Sequence, residues 1–218
     1  MAIAVEACLA ALDVGAPTRT KLADLLSPDE RARACAFHSE QHRSRYIVRR
    51  GRLRELLAQR LGKKPQAIDL TNNAFGKPSL VDGPLCFNLS HSRATALYVM
   101  ARGVEVGCDI EWRLPELASR RVADWLFSAG ERAALDSLQG DAWLEGFFNC
   151  WTRKEAVLKG RGRGLSQPFD FDVSLRPGEP ATILRGAGGW SLRALEPMPG
   201  LHAAIAVQAE DWQLLSSC

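Results

Sequence analysis

The chain has 218 residues, of which 46% are hydrophobic and 24% charged, and its formal net charge is +3. This length allows one large domain or two of about 100 residues, and the composition excludes long disordered segments. The small net charge disfavours a nucleic-acid-binding protein, and no apolar run approaches the roughly 20 residues of a membrane span. The six cysteines lie far apart without a Cys-x-x-Cys pair, which disfavours a zinc site and a disulfide framework. We therefore expect a reduced protein of the cytoplasm.

The first half of the chain is expected to combine strands and helices. Residues 3–12 are predicted to form a strand, and Ser27 is a favourable N-cap for a helix that begins at Pro28. A longer helix is predicted over 42–61, because apolar residues recur there at helical spacing and Gly62 follows. The next segment is rich in Asn, Gly and Pro and is predicted to be a loop.

Two strands with a tight turn between them are expected to end this half. The apolar run 94–101 is followed by a turn at 102–103 and by a strand at 104–111, which predicts a hairpin. In the second strand Asp109 and Glu111 alternate with apolar residues. Both carboxylates therefore point to the same face of that strand.

The second half repeats this order of helices followed by strands. Helices are predicted at about 116–126, 128–138 and 143–159, and strands at 169–175, 181–185, 190–195 and 201–208. A cationic loop, Arg161-Gly162-Arg163-Gly164, separates the last helix from these strands. The expected fold is α+β with two similar halves, residues 1–113 and 114–218.

A third carboxylate, Glu155, falls in the strongly apolar helix predicted at 143–159, one turn before Lys159. One interpretation is an exposed Glu155–Lys159 pair, with the two acids of the strand merely lining a solvent face. However, an unpaired charge beside the aromatic residues of this helix would be costly to bury. We therefore favour a joint site for a divalent cation and a phosphorylated ligand.

Histidine and basic residues supply further candidates. His91 lies between Ser90 and Ser92, where two hydroxyls and an imidazole suit a phosphate, although a lone loop histidine is more often structural. A nucleophilic Ser–His pair is disfavoured, because adjacent residues of a strand point in opposite directions. A second cationic cluster lies next to the acids in the sequence and suits a ligand with several phosphates. Its members are Lys154, Lys159, Arg161 and Arg163.

Two other basic features are ambiguous. Lys77, in the turn Gly76-Lys77-Pro78, carries little information by itself, since turns often contain exposed lysines. Arg45, Arg49 and Arg52 form a stripe on the predicted helix 42–61, which would ordinarily be a solvated helix face.

Taken together, five segments resemble the surfactin-type (Sfp-like) branch of the 4′-phosphopantetheinyl transferase superfamily, and they occur in the order typical of that family. In this chain they are Gly76-Lys77-Pro78, Phe87-Asn88-Leu89-Ser90-His91-Ser92, Val106 to Glu111, Phe148 to Lys159, and Gly162-Arg163-Gly164-Leu165. The resemblance covers roughly residues 25–175. It implies two α/β halves related by a pseudo-twofold axis, with the active site in the cleft between them.

The resemblance also implies a reaction and roles for individual residues. Phosphopantetheine would pass from coenzyme A to a serine of an apo acyl or peptidyl carrier protein, releasing adenosine 3′,5′-bisphosphate. Asp109, Glu111 and Glu155 would hold Mg²⁺, and Glu155 is also the candidate base. Lys154, Lys159 and His91 would stabilise charge on the pyrophosphate, with His91 near the 3′-phosphate, so Lys159 and His91 join Glu155 as the catalytic candidates. Further contacts to coenzyme A would come from Ser90, Lys77, Arg45 and Arg33. The protein would act as a monomer, without a membrane or nucleic acid.

The chain departs from the family pattern at Glu30, where a basic contact to coenzyme A is often found. Two other hypotheses stay open at this point. A catalytically silent module would bind coenzyme A without transferring it, and a nucleic-acid-binding protein would use the arginine-rich helix. The identity of the carrier protein is also open, because its recognition surface needs no motif.

Overall fold

The computed structural model describes residues 2–163 and 170–216. Its helices are α1 (Ala16–Ala23), α2 (Pro28–Cys35), α3 (Glu40–Leu61), α4 (Arg120–Leu126), α5 (Ala129–Asp136) and α6 (Gly140–Arg161), with a short 3₁₀ helix at Pro65–Ala67. Its strands are β1 (Ile3–Ala11), β2 (Leu70–Asn72), β3 (Pro78–Leu80), β4 (Leu85–Ser92), β5 (Thr95–Arg102), β6 (Val106–Trp112), β7 (Asp172–Val173), β8 (Ile183–Arg185), β9 (Ser191–Met198), β10 (Leu201–Val207) and β11 (Trp212–Ser216).

The structure confirms most of the predicted elements, with shifts of a few residues at their ends. The first strand, the capped helix at Pro28 and the long helices that become α3 and α6 are all present. Helix α1 and strand β11 were not predicted, and the predicted loop after α3 contains the short strands β2 and β3. Gly164 and Leu165 of the last motif, and the start of the strand predicted at 169–175, lie outside the described residues.

Two antiparallel sheets repeat the same strand order. In the first sheet β5 lies between β1 and β4, and in the second β10 lies between β6 and β9. The last strand, β11, joins the first sheet in parallel beside β1. The α+β class is therefore confirmed, whereas a symmetry axis relating the halves remains a prediction.

The hairpin predicted between residues 94–101 and 104–111 is wrong. Strand β5 pairs with β1 and β4, whereas β6 leaves that sheet after Gly103 and pairs with β10. Side chains of β4 connect the two sheets: the Asn88 amide oxygen accepts a hydrogen bond of 3.0 Å from the Cys108 backbone N–H. The sheets therefore cross the division predicted at residue 113, and the two acids of β6 lie where the sheets meet.

Each half also contains a short helix packed against a long one. Helices α2 and α5 both begin with a capping box, Ser27 with Glu30 and Ser128 with Glu131. Helices α3 and α6 each have 22 residues and end at a glycine in the left-handed region, with φ of 62° and 63°. The same helix pair therefore occurs twice in the chain.

The same buried ion pair joins both helix pairs. Arg54 donates to Glu30 at 2.6 Å, and Lys154 donates to Glu131 at 2.8 Å. Each cation is the fifteenth residue of its long helix, and each acid is the capping glutamate of its short helix. These side chains are almost completely buried, so the pairs belong to the packing of the two halves.

Strand β6 lies directly against helix α6, because Gly107 has no side chain. A Cβ atom at this residue would lie 2.0 Å from the carbonyl oxygen of Ala156 and 2.2 Å from the amide nitrogen of Gly160. A larger residue would push the strand away from the helix. This close approach brings the acids that follow Gly107 on β6 beside the last two turns of α6.

The structure bears on the expectation that the cysteines are reduced. Cys35, Cys86, Cys108 and Cys150 carry free thiols, whereas Cys8 is disulfide-bonded, contrary to the expectation of a reduced chain. Burial raises the pKa of Cys108 to about 12, which is typical of an unreactive core thiol.

Within residues 2–163 and 170–216, no helix has the length and apolar character needed to cross a membrane.

Candidate active site

Serines of β4 hold the carboxylates of β6. Ser90 Oγ donates to Asp109 Oδ1 at 2.7 Å, and Ser92 Oγ donates to Glu111 Oε2 at 2.7 Å. The serines are two residues apart on β4, as the acids are on β6, so each pair shares a face of its strand. His91 lies between the serines and points the other way. The serine hydroxyls therefore orient the carboxylates, and neither is paired with His91 as a nucleophile.

The third carboxylate comes from α6. Trp151, Glu155 and Lys159 recur every four residues and are partly exposed, whereas the residues between them are buried. Lys159 Nζ donates to Asp109 Oδ1 at 2.6 Å and to Ser90 Oγ at 2.8 Å. The structure thus brings the predicted acids, the serine and the lysine together at the junction of β4, β6 and α6.

Burial and mutual repulsion raise the pKa values of two of these acids. Burial, followed by the negative charge of Asp109, raises the pKa of Glu111 to about 7 and that of Glu155 to about 7. Lys159 opposes both shifts. Asp109 Oδ2 is buried without a hydrogen-bond partner. A bound cation would satisfy this orphaned oxygen and relieve the repulsion.

The donor set fits Mg²⁺, which takes oxygen ligands and combines one or two carboxylates with water and phosphate oxygens. In the described part of the chain, no three His, Cys, Asp or Glu side chains already have the arrangement of a metal site. The hydrogen bonds from Lys159 and Ser92 already occupy one oxygen of Asp109 and one of Glu111, whereas Asp109 Oδ2 has no partner. The ligand set Asp109, Glu111 and Glu155 therefore stays a prediction, supported by chemistry rather than by a preformed cage.

These pKa shifts predict a pH-dependent stability. Because the pKa of Glu155 is raised from 4.5 to about 7 on folding, its ionisation opposes folding as the pH rises through this range. The pKa values of His91 and His202 are lowered from 6.5 to about 4 by burial, which has the opposite effect between these values. We therefore expect the melting temperature of Glu155→Gln, relative to wild type, to rise between about pH 5 and pH 8 in EDTA.

Thermal denaturation at constant ionic strength measures this difference. Added Mg²⁺ should reduce it, because a bound cation lowers the pKa of a neighbouring carboxyl group. Taking the difference between two variants removes the contribution of the histidines, which are the same in both. A difference that does not change with pH would show that Glu155 ionises as an ordinary surface carboxylate.

His91 faces a cationic cleft on the other side of β4. Its two ring nitrogens lie 2.8 and 2.5 Å from Arg49 Nη1. Burial, followed by the charges of Arg49, Lys159 and Arg45, lowers the pKa of His91 to about 4. His91, Arg49 and Lys159 line a cavity of about 460 Å³ that also reaches Glu111. An anion such as a phosphate group would relieve this crowding of positive charge.

Two further predicted ligand contacts are engaged within the protein. Arg45 donates to both carboxylate oxygens of Asp13 at 2.7 Å. Lys77 Nζ donates to Glu105 Oε2 at 2.5 Å and to the Gly160 carbonyl oxygen at 2.7 Å. Both acids are largely exposed, with 55% and 48% of their side-chain surface accessible. Contacts from Arg45 and Lys77 to coenzyme A stay predictions, and they require these pairs to rearrange.

Lys154 does not lie in the cleft, contrary to the prediction. It is 2% exposed, and its ammonium group donates to both Glu131 oxygens at 2.9 and 2.8 Å and to the Phe171 carbonyl oxygen at 2.9 Å. Consecutive residues of a helix point about 100° apart, so Lys154 and Glu155 project from different faces of α6. The prediction assumed that Lys154 shares the site because it is next to Glu155 in the sequence, but the two side chains lie on different faces of the helix.

The arginine-rich helix contains a candidate residue that the sequence reasoning missed. Arg49 was assigned to a solvated stripe, but it contacts His91 in the cleft, one turn after Arg45. Arg52 does fit the stripe, since it pairs with Glu55 at 2.9 Å. The departure at Glu30 is also explained, because this residue is the buried partner of Arg54.

Known proteins are similar in sequence to this chain over regions that include the cluster. Residues 105–206 match the family model of the 4′-phosphopantetheinyl transferase superfamily. The 4′-phosphopantetheinyl transferase HetI of Nostoc sp. is 38% identical over 196 residues, which is 88% of this chain and 82% of that protein. AcpT of Escherichia coli K12 is 42% identical over 120 residues, or 55% of this chain and 60% of AcpT. Sfp of Bacillus subtilis is 28% identical over 152 residues, or 69% and 66%, so the surfactin-type branch is matched only distantly.

The matched family region begins just before β6 and ends within β10, and it includes the whole of α6. It therefore contains the three acids and Lys159, which the structure brings together. The match to HetI extends over most of both chains, so it is not restricted to this core. On this basis the chain belongs to the 4′-phosphopantetheinyl transferase superfamily and is an enzyme of that family.

Proposed function

We propose that the protein transfers the 4′-phosphopantetheine group of coenzyme A to a serine hydroxyl of an apo acyl or peptidyl carrier protein. The proposed reaction requires Mg²⁺ and releases adenosine 3′,5′-bisphosphate. The observation that carries this proposal is the carboxylate cluster with Lys159, which adjoins a cationic cleft. Relatives named as 4′-phosphopantetheinyl transferases support the same activity.

The charged and apolar parts of coenzyme A match the surfaces around the cluster. The 3′-phosphate suits His91 and its arginine neighbours, and the pyrophosphate suits the part of the cleft that Lys159 and Glu111 line. The less charged pantetheine arm suits an adjoining cavity of about 330 Å³ that includes Glu155, with Phe75 and Leu158 among its apolar walls. This order of contacts places the reacting phosphorus beside the carboxylates.

Displacement at phosphorus depends on positioning and charge neutralisation rather than on a covalent nucleophile. The serine oxygen bonds to the phosphorus that carries pantetheine, the bond from that phosphorus to the bridging oxygen breaks, and the serine proton passes to Glu155, directly or through water. Burial raises the pKa of Glu155, which makes its carboxylate a stronger base than an ordinary one and suits it to this role. Lys159 stabilises negative charge on the departing bisphosphate. Mg²⁺, held by Asp109, Glu111 and Glu155, would supply further neutralisation of the pyrophosphate.

The decisive experiment incubates the protein with coenzyme A, Mg²⁺ and a panel of apo carrier proteins from fatty-acid, polyketide and nonribosomal-peptide synthesis. We expect intact-mass spectrometry to show a gain of one phosphopantetheine group on at least one carrier, and none in EDTA. Binding of coenzyme A without a mass gain on any carrier would favour the catalytically silent module. Comparing kcat/KM across the panel would identify the preferred carrier.

His91→Ala is expected to raise the KM for coenzyme A about tenfold with little change in kcat, because a contact to a charged group remote from the reacting bond is lost. The KM for 3′-dephospho-coenzyme A should stay at its wild-type value, since this substrate lacks the phosphate. Arg52→Ala is the matched control, because Arg52 lies on the same helix as the cleft arginines but pairs with Glu55. An equal rise in KM for both substrates would mean that His91 does not contact the 3′-phosphate.

We also propose that the enzyme acts as a monomer in the cytoplasm, with residues 1–113 and 114–218 as halves related by a pseudo-twofold axis. The repeated helix pair supports two halves, although β6 lies before this boundary and pairs with β10 beyond it. The active site then combines β6 of the first half with α6 of the second.

A further inference from the structure

His202 is a buried histidine next to the carboxylate cluster that the proposed mechanism does not use. It lies on β10 directly opposite Glu111 in the pairing of β10 with β6. Residues directly opposite in an antiparallel pair share a face, with Cβ atoms about 4.5–5.5 Å apart. Glu111 is therefore flanked by Ser92 of β4 on one side and by His202 on the other.

Residues of α6 hold the imidazole ring in place. Its Nδ1 lies 3.1 Å from the Asn149 amide oxygen, and the Asn149 NH₂ group donates to the Leu175 carbonyl oxygen at 3.2 Å. The second bond fixes the amide so that its oxygen faces the ring, which makes Nδ1 the protonated nitrogen and leaves Nε2 as an acceptor. The ring also stacks on Phe148, with centroids 5.9 Å apart and planes 26° apart.

The surroundings leave room for water next to this acceptor. A cavity of about 520 Å³ is lined by His202 together with Arg113 and Glu145. Arg113 follows Glu111 by two residues, just beyond the end of β6, so this cavity begins next to the strand that carries Glu111. No protein partner of Nε2 is found among residues 2–163 and 170–216. A ring needed only for packing would not require this second nitrogen.

We infer that His202 is a positioning residue for the cation site, an inference that rests on the proposed function. Its Nε2 accepts a hydrogen bond from a water molecule bound to the divalent cation that Glu111 helps to hold. Mg²⁺ retains several of its water ligands when it binds to protein. A fixed acceptor therefore orients the hydrated cation, as groups beyond the direct ligands do in other metal sites.

The test uses Mn²⁺ as a spectroscopic substitute for Mg²⁺. Electron paramagnetic resonance measures free Mn²⁺ during a titration of the protein in the presence of coenzyme A. His202→Phe keeps the stacking on Phe148 but removes both nitrogens, and we expect it to raise the Kd for Mn²⁺ about tenfold, as loss of such a partner does elsewhere. His202→Gln supplies an amide oxygen as an acceptor and should recover most of the affinity. His38→Phe serves as a control for a histidine outside the site.

Kinetics and stability separate this role from a purely structural one. His202→Phe should raise the Mg²⁺ concentration at half-maximal rate while the KM for coenzyme A stays unchanged. Wild-type Mn²⁺ affinity in His202→Phe would overturn the inference. The inference would also be overturned if His202→Phe and His202→Gln lost Mn²⁺ affinity equally and in proportion to the fall in their melting temperatures. If wild-type protein transfers nothing to any carrier, the proposed function fails, but the Mn²⁺ titration still decides the role of His202.

Discussion

Glu155→Gln is expected to lower the turnover of the transfer reaction by about 10²–10⁴-fold while the protein stays folded. The amide has nearly the same shape as the carboxyl group but cannot accept the serine proton. The fold should tolerate the change, because the lost group is a half-buried acid whose pKa is already raised to about 7. Initial rates of carrier modification at saturating coenzyme A measure the effect, and circular dichroism confirms folding.

Two comparisons show whether the loss reflects a base or only a metal ligand. The wild-type rate should fall at acid pH as Glu155 becomes protonated, at a lower pH than in the metal-free protein because bound Mg²⁺ favours the carboxylate, and this dependence should be absent from the residual rate of Glu155→Gln. Asp109→Asn should instead raise the Mg²⁺ requirement and retain the pH dependence. Trp151→Phe changes the same stripe of α6 without touching a carboxylate and should have little effect. Wild-type turnover in Glu155→Gln would remove Glu155 from the mechanism.

Local patterns were sufficient to predict which side chains of the cluster share a face of their own strand or helix. Alternation along one strand places Asp109 and Glu111 on one face, and spacing of four residues along a helix aligns Glu155 with Lys159. Both relations depend only on the geometry of a single element. The family resemblance implied that the strand and the helix meet. In the structure β6 lies directly against α6 at Gly107, which has no side chain to hold them apart.

Predictions that required long-range pairing were less successful. The turn after β5 is present, but the partner of β6 is β10, about 90 residues further along the chain. Turn chemistry cannot specify that partner, because the strands that compete for pairing are all apolar. The partners of Arg45 and Lys77 were missed for the same reason, since Asp13 and Glu105 are distant in sequence.

The repeated helix pair explains why Lys154 was assigned wrongly. In α3 the fifteenth residue is Arg54, which binds the capping glutamate of α2, and in α6 the fifteenth residue is Lys154, which binds that of α5. The segment Trp151 to Lys159 therefore combines two kinds of residue. Glu155 and Lys159 face the cleft, whereas Lys154 fastens the helices of its own half.

Lys154→Met is accordingly expected to destabilise the protein by about 3–5 kcal/mol, because it leaves the carboxylate of Glu131 buried without its cation. Glu131 is 3% exposed and also accepts hydrogen bonds from the backbone N–H groups of Ser128 and Val173. It therefore cannot move to solvent without uncapping α5 and releasing β7. Equilibrium unfolding in urea measures the change in the free energy of unfolding.

A second substitution tests whether the uncompensated charge is the cause. Glu131→Gln combined with Lys154→Met removes both charges and should recover part of the lost stability. Arg54→Met is the matched comparison in the first half, and it should lose less stability through uncompensated charge, because Arg50 still pairs with Glu30 at 2.5 Å. Folded Lys154→Met should keep the wild-type KM for coenzyme A, because Lys154 lies on a different face of α6 from Glu155 and Lys159. Normal stability together with a raised KM would instead return Lys154 to the pyrophosphate site.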